Sequence, residues 1–430
     1  MFCQLEVLRH SFPSSVRHIL EELPESLDET YERILKEIRK PKQRHAHRLL
    51  QCLVAAARPL RVEELAEVLV FDFAGNAGGI PNLNLDWRWE NQEEAVMSTC
   101  SSLVVVVKDK DSLIVQFSHF SVKEYLTANR LAEPIRDVSR FHIRLEAAHT
   151  ILAQACFGIL LRLDDRVDRD NIKDFPLARY AARYWPRHAR FENVSSHIMD
   201  GIKRLFDADQ PQFATWLWIY NEDRRRSMST TCPEKPEAVP LYYAAMLGFR
   251  DLAEHLIAEH PEHVNARGGS STTPMHAAAK AGHVDILALL LDHGADVDSK
   301  SLEGNPPLYM ASGSGNFEAG RCLLDRGADI NPEGGLLTPL DMAAFRGDFD
   351  FAQMLINRGA RVDARSAGRR SPLHWAVERG NIQIVRLLLE HGADINARNG
   401  PGKTPSQFAS ERGYHEIVEL LSEHGAGSEK

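Results

Sequence analysis

Cysteine is sparse and scattered: Cys3, Cys52, Cys100, Cys156, Cys232 and Cys322 are the 6 in a chain of 430 residues, and no two stand close together. That spacing excludes a zinc knuckle or a disulfide framework and fits a reducing compartment. Long apolar runs are missing too, and stretches such as Leu103 to Val107 are far too short for a membrane-spanning helix. Residues 1–25 interleave Glu6, Arg9, Arg17, Glu21 and Glu22 with apolar side chains, which is no secretory signal. A basic face is lacking. The formal net charge is −9, with 25 acidic and 18 basic residues from Val239 onward and 35 against 33 before it, so neither half is built to neutralise a phosphate backbone. The local exception, Arg358, Arg361, Arg365, Arg369 and Arg370, reads as solvated loop arginines, with a docking patch for an acidic partner as the alternative. Catalytic constellations are absent as well. A phosphate-binding loop needs glycine, four residues and then Gly-Lys-Ser/Thr, so that backbone N–H groups cradle phosphate. The one Gly-Lys-Thr, Gly402-Lys403-Thr404, has Ala397 where the earlier glycine belongs, and no acidic Walker B strand accompanies it. There is no Gly-x-Ser-x-Gly elbow and no His-Glu-x-x-His pair. We expect no enzyme, no cofactor and no metal.

What is present is repetition. Prolines 240, 274, 307, 339, 372 and 405 are spaced 34, 33, 32, 33 and 33 residues apart. An alanine stands four residues after each (Ala244, Ala278, Ala311, Ala343, Ala376, Ala409) and a glycine four residues further on (Gly248, Gly282, Gly315, Gly347, Gly380, Gly413). A fixed period near 33 marks a stacked repeat. Proline suits a first helical turn, where its missing N–H has no intrahelical partner to lose. Thr273, Thr338, Ser371 and Thr404 precede it as N-caps. The mid-repeat glycines end the first helices, and Gly294, Gly327, Gly359, Gly392 and Gly425 end the second, in the left-handed conformation. Leu289-Leu290-Leu291 and Leu387-Leu388-Leu389 are too apolar for a lone helix pair, so neighbours must stack over them. Thr273-Pro274-Met275-His276-Ala277-Ala278 and Ser371-Pro372-Leu373-His374-Trp375-Ala376, each leading through an aliphatic helix into phrases such as Gly392-Ala393-Asp394-Ile395-Asn396, resemble ankyrin repeats over roughly residues 238–426. That resemblance implies that His276 and His374 satisfy turn hydrogen bonds rather than hold a metal. It also implies that the hairpin tips and first helices line a concave face that binds a protein partner. By it the exposed first-helix positions are Met246 and Leu247, Lys280 and Ala281, Phe345 and Arg346, Glu378 and Arg379, and Glu411 and Arg412; hairpin candidates are Arg267, Lys300, Glu303, Asn305, Arg370 and Lys403. Phe345 with Arg346 is the favoured pair, since aromatics and arginine dominate hot spots. The sixth repeat, with Gln407, Glu411 and Glu416, is more polar and reads as a terminal cap.

Upstream, Val16, Ile19, Leu20 and Leu23 share a helical face that Pro24 closes. Ser26 with Glu29 forms a capping box for a helix through Tyr31, Ile34, Leu35 and Ile38, interrupted at Pro41. Further helices are expected from about His45 to Ala57, from Val62 to Leu69 and from about Asn91 to Ser101, the last after a loop from Phe73 to Leu85. His45 and His47, two apart on a helix, point to different sides and make no metal pair. Leu103 to Val107 and Leu113 to Phe117 read as a hairpin turning at Lys108 to Ser112. Helices followed by a hairpin is winged-helix order. Such units often read DNA through the helix before the hairpin, but here that helix carries Glu93 and Glu94 after Glu90, with no Lys or Arg from Trp89 to Val107. A structural or regulatory role is expected instead. A helical spacer follows, over Ala147 to Leu163, Leu177 to Trp185, Val194 to Phe206 and Phe213 to Tyr220, with Trp216 and Trp218 in the core.

Gln116-Phe117-Ser118-His119-Phe120-Ser121-Val122-Lys123-Glu124-Tyr125-Leu126 resembles the end of the winged-helix domain in NACHT-type signalling ATPases. Leu23-Pro24-Glu25-Ser26-Leu27-Asp28-Glu29-Thr30-Tyr31-Glu32 and Pro59-Leu60-Arg61-Val62-Glu63-Glu64-Leu65 look like fungal NACHT–ankyrin proteins. The resemblance spans roughly residues 1–225. It implies that His119 matches a histidine able to contact the β-phosphate of bound ADP, the structural alternative being a buried or capping histidine. It also implies that the chain starts where a nucleotide-binding domain would end.

The expectation is therefore a predominantly α protein. Residues 1–45 lead from a missing nucleotide-binding domain, 46–135 form a winged-helix-like domain with a small β-hairpin, 136–223 a helical spacer and 224–238 a linker. Six ankyrin repeats occupy 239–430 as an α-solenoid. Function is expected to be non-enzymatic protein–protein interaction within a NACHT-type signalling or recognition system, with the sensor half of a nucleotide-driven switch as the alternative. Neither nucleic acid nor membrane is an expected partner, and the compartment is the cytoplasm or the nucleus. Candidate partner-binding residues are Met246, Leu247, Lys280, Lys300, Glu303, Phe345, Arg346, Arg370, Glu378, Arg379, Lys403 and Arg412.

Overall fold

The computed structural model describes residues 26–73, 80–100, 102–110, 112–133, 137–168, 170–222, 236, 238–268 and 272–426. The helix expected over Val16 to Leu23 and nearly all of the 224–238 linker lie outside them. The fold is predominantly α, with a winged-helix domain and an ankyrin solenoid, and the chain divides into two compact units, Met1–Pro236 and Glu237–Lys430.

The first unit opens on α1 (Leu27–Glu37), where the Glu29 N–H donates to Ser26 Oγ at 3.2 Å and caps the first turn. Pro41 is a start here, not a break. It stands in the first turn of α2 (Lys40–Ala55), which begins ahead of the expected His45 because proline costs nothing there. Then come α3 (Val62–Leu69) and α4 (Gln92–Cys100). β4 (Val104–Asp109) pairs antiparallel with β5 (Ser112–Phe117), the chain reversing with Lys110 at φ 52°. A two-residue β1 (Leu60–Arg61) adds to the other edge of β5, giving sheet order β1-β5-β4, and β2 (Phe71–Asp72) pairs with β3 (Asn82–Leu83) inside the expected loop region. Leu49, Leu65, Val96, Leu103, Val115 and Val122 are buried beneath these elements. The hairpin runs directly into α5 (Phe120–Thr127).

The helical spacer comprises α6 (Leu145–Leu160), α7 (Ala178–Ala189), α8 (Val194–His197), α9 (Met199–Leu205) and α10 (Pro211–Glu222). The single helix expected over Val194 to Phe206 is two, broken at Ile198 where φ swings to −125°. Trp185 and Trp216 are buried with rings 5.8 Å apart, and Phe206 packs 5.3 Å from Trp216, so these aromatics are core.

A buried polar chain links α6 and α7. The Ala57 N–H donates to Tyr180 Oη at 3.0 Å, Tyr180 Oη lies 2.9 Å from His188 Nε2, and His188 Nδ1 lies 2.9 Å from His149 Nδ1. With both rings neutral, the tyrosine donates to Nε2 and His188 donates from Nδ1 to His149. Burial pushes His188 down to about 3 and His149 to about 4. The unfolded chain takes up these protons from about pH 6.5 downward while the fold does not, so acid weakens the unit across that window. We expect thermal stability to fall from pH 7 to pH 5, by up to about 1.4 kcal/mol per pH unit from His188. His188→Phe should flatten that slope in melts followed by circular dichroism; an unchanged slope would refute the assignment.

The second unit stacks six helix pairs: α11 (Pro240–Leu247) with α12 (Arg250–Glu259), α13 (Pro274–Ala281) with α14 (Val284–Asp292), α15 (Pro307–Ser314) with α16 (Phe317–Asp325), α17 (Pro339–Arg346) with α18 (Phe349–Asn357), α19 (Pro372–Glu378) with α20 (Ile382–Glu390), and α21 (Pro405–Arg412) with α22 (His415–Glu423). Every first helix begins at its proline, and Thr273, Thr338, Ser371 and Thr404 are N-caps. Gly347, at φ 82°, closes α17 by donating its N–H to Ala343 O at 3.0 Å, a left-handed position that needs glycine. Ala278, Ala343, Ala376 and Ala409 are fully buried, which lets the helices approach closely. Polar braces cross between repeats. His276 Nδ1 accepts from the Thr273 N–H at 3.2 Å and its Nε2 meets Asn305 O in the next hairpin at 3.0 Å. His374 repeats the arrangement with the Ser371 N–H at 3.3 Å and Lys403 O at 3.1 Å. Asn381 Nδ2 donates to Ala344 O at 2.7 Å.

Candidate partner-binding face

In a helix, residues i, i+3 and i+4 share a face. Counted from each initiating proline, the third, sixth and seventh residues therefore line one side of every first helix. In the last three repeats the third residues are Met342, Trp375 and Phe408, the sixth Phe345, Glu378 and Glu411, and the seventh Arg346, Arg379 and Arg412.

These side chains form a connected ladder. The Phe345 ring meets Trp375 edge-on at 5.8 Å, with the Arg379 guanidinium 4.6 Å over Phe345. Arg370, from the hairpin, lies 4.5 Å over Trp375 and 5.6 Å from the Phe408 centroid, and Lys403 lies 5.7 Å over Phe408. Trp375 Nε1 donates to Ser366 Oγ at 3.1 Å. Glu378 takes Arg370 at 2.6 Å and Arg412 at 3.5 Å, and Glu411 takes Lys403 at 2.6 Å. Five cations (Arg346, Arg370, Arg379, Lys403, Arg412) thus stand with two carboxylates, a local balance of +3 on a chain of −9. Arg346 and Arg379 have no carboxylate partner among the described residues; Arg346 donates instead to Gly313 O at 2.8 Å. Ion pairs and cation–π contacts at or near the surface are each worth roughly 0–1 kcal/mol. The ladder therefore contributes little to folding stability.

The structure sorts the candidates. Lys280, Arg346, Arg379 and Arg412 are exposed; Phe345, Arg370, Glu378 and Lys403 are half-buried within the ladder. Met246 is half-buried away from it, and Leu247 is buried at 6% exposure, contrary to its expected exposure. An apolar side chain gains about 1.5–3 kcal/mol by leaving water, which outweighs the surface preference its column shows in the charged repeats. Asn305 is likewise buried, held in its hairpin by the Ser301 Oγ that accepts from its N–H at 3.2 Å. Lys300 and Glu303 stand at the hairpin that leads into the third repeat: Lys300 Nζ donates to Glu333 O of the next hairpin at 2.6 Å, and Glu303 Oε2 accepts from Asn305 Nδ2 within its own at 3.2 Å. Gly402-Lys403-Thr404 is a hairpin, the Lys403 N–H donating to Asn399 Oδ1 at 2.8 Å and Thr404 capping α21. Both nitrogens of His276 and of His374 are engaged in the braces already described. Sequence reasoning misses Trp375 and Phe408, although the proline register that locates Phe345 locates them too. It also misses Trp87 and Trp89, about half exposed on a loop that Arg88 pins to Glu67 at 2.6 Å and to Asp174 O at 2.9 Å.

His119 is the N-cap of α5. Its Nδ1 accepts from the Ser121 N–H at 3.3 Å and lies 2.6 Å from Ser121 Oγ, which in turn is 2.7 Å from Tyr31 Oη. The ring is exposed beside Phe120, itself 72% exposed.

Residues 241–334 and 340–430 match the family model for ankyrin repeats (3 copies), and residues 314–356 match a second one, ankyrin repeats (many copies). Residues 31–135 match the winged helix domain of GPI inositol-deacylase. The chain is similar to azaphilone pigments biosynthesis cluster protein L of Monascus ruber, 34% identical over 291 residues that cover 64% of this chain and 60% of that protein. It is also similar to alpha-latrocrustotoxin-Lt1a of Latrodectus tredecimguttatus, 40% identical over 52 residues, 12% of this chain and 4% of the toxin. The match thus spans about 60% of the length of the first of these relatives. Among solved structures, the human ASB11 ankyrin repeat domain aligns with TM-score 0.42 and 29% identity, over 44% of this chain and 86% of that one. Ankyrin repeats over these residues indicate a protein–protein interaction module. Among the described residues no helix is long and apolar enough to cross a membrane.

Proposed function

We propose that this chain is a non-enzymatic adaptor whose last three repeats capture an acidic segment of a partner protein. The observation that carries this is the ladder from Phe345 through Trp375 to Phe408, edged by five cations of which Arg346 and Arg379 lack a carboxylate. Aromatic rings between arginines offer a large rigid contact area with charge to match, the composition of an interface hot spot. The acidic α4 and the negative net charge argue against nucleic acid, and the adaptor acts in the cytoplasm or the nucleus. The winged-helix match over residues 31–135 supports a setting in a NACHT-type recognition system.

Peptides selected from a random display library against the full chain should be rich in Asp and Glu flanking apolar residues. Their affinity should drop at least tenfold in the Phe345→Ala/Arg379→Ala double variant and fall with added salt, while the melting temperature stays put. Selection of neutral or basic peptides, or undiminished binding by the double variant, would sink the proposal.

A second reading, the sensor half of a nucleotide-driven switch whose ATPase is supplied separately, is favoured by the exposed His119–Phe120 corner at the start of α5. It requires an in-frame phosphate-binding loop upstream of Met1 in the transcript, or a separate ATPase that this corner binds; finding neither removes it.

A further inference from the structure

The first repeat departs from the others at one point. The second helices of the later repeats run out through a glycine in the left-handed region, Gly294, Gly327, Gly359, Gly392 or Gly425. At the same place α12 runs into His260-Pro261-Glu262-His263, and Pro261–Asn265 winds into a 3-10 turn. Such a turn has three residues per revolution, so side chains three apart eclipse. His260 and His263 accordingly stack, with ring centroids 4.8 Å apart and planes 27° from parallel. Glu262 Oε1 reaches back to both, 3.3 Å from His260 Nδ1 and 3.9 Å from His263 Nε2. The three donor atoms lie within 4.8 Å of one another, and no other such cluster occurs among the described residues.

We propose that His260, Glu262 and His263 form a binding site for a divalent transition-metal ion of the zinc class. Donors held about 2.1 Å from a tetrahedral ion stand roughly 3.4 Å apart, so two edges of this triangle are near the required length and the third closes by a small rotation of the exposed His260 against the half-buried His263. Two imidazoles with one carboxylate suit zinc, whereas calcium and magnesium take oxygen donors. Three protein donors leave a fourth position open to water or to a side chain of another protein.

The bound ion would do for the first repeat what the left-handed glycine does for the others, fixing the exit of the second helix. The same turn carries Asn265, whose Nδ2 donates to Gly294 O at 3.0 Å and whose Oδ1 accepts from the Asp296 N–H at 2.9 Å, so a clamped turn also steadies the joint to the second repeat.

The test is a zinc titration of the metal-stripped full chain against a chromophoric chelator, paired with melts in zinc and in chelator. Wild type should bind zinc and melt higher in it. His263→Ala and Glu262→Gln should each lose at least tenfold in zinc affinity and lose the melting shift, while His415→Ala, at an exposed histidine on α22, keeps both. Should His263→Ala fold poorly, Glu262→Gln, of equal size, carries the test alone. Equal affinity and equal melting shift in the variants and wild type would overturn the site.

Discussion

His374→Ala should destabilise the ankyrin unit by about 3 kcal/mol, lowering its melting temperature by roughly 6–12 °C for a unit of this size. The ring is 1% exposed and works at both ends. The Ser371 N–H donates to Nδ1, so Nε2 carries the proton and donates to Lys403 O. Losing the capping arrangement costs about 1 kcal/mol. Losing the hydrogen bond to the Lys403 carbonyl, which keeps the Asn399 N–H at 3.0 Å, costs about 1 kcal/mol more, and the cavity left by the ring adds to that. His276→Ala should behave alike, since it bridges Thr273 to Asn305 O in the same way. Urea denaturation of the full chain would check both, and a loss below about 1 kcal/mol would show that the braces are ornamental.

The other large effect lies in the first unit. Gly158, in the middle of α6, faces the buried Phe71 so closely that a Cβ there would stand 2.5 Å from the ring's Cε1. Two effects compete. Glycine weakens a helix by about 1 kcal/mol relative to alanine, so a larger residue gains that much. Overpacking a tight core costs typically 1–3 kcal/mol and grows with each added atom. Phe71 has little room to step aside: its carbonyl accepts from Arg48 at 3.1 Å, its backbone pairs with Leu83 in β3, and Phe73 meets its ring edge-on at 6.1 Å. Gly158→Ala should therefore come out destabilising by about 1–2 kcal/mol, and Gly158→Val by at least about 3. Combining Gly158→Ala with Phe71→Leu should recover part of the loss, because the two sites share one volume. Purely additive losses in the double variant would show that the clash is not the cause.

The parts of the fold that were readable in advance are those whose causes act within one helical turn. Proline at the first position, a hydroxyl before it and a left-handed glycine after it place α13, α17 and α21 residue by residue. α3 begins at Val62 and ends at Leu69 as periodicity predicts. Elements decided at a distance were not readable. β1 is two residues long and exists only because β5, far along the chain, has a free edge for it. Pro41 looks identical in sequence whether it ends one helix or starts the next. The candidate face shows the same division. Charged residues at the seventh position are where the register puts them, whereas Leu247 occupies that position and turns inward, and the rings of Trp375 and Phe408 join Phe345 only through packing between repeats.

The ankyrin unit keeps two kinds of information on separate positions. Caps, left-handed glycines, buried alanines and the histidine braces hold one repeat to the next. In the last three repeats the third, sixth and seventh residues after the proline lie at the surface or half-buried, and what they add between repeats is weak ion pairs and ring contacts, with the Arg346 bond to Gly313 O beside them. A lineage carrying this scaffold can therefore rewrite Trp375, Glu378 or Arg379, and with them what the array grips, without loosening the array itself. Recognition in such a protein can drift quickly on a frame that changes slowly.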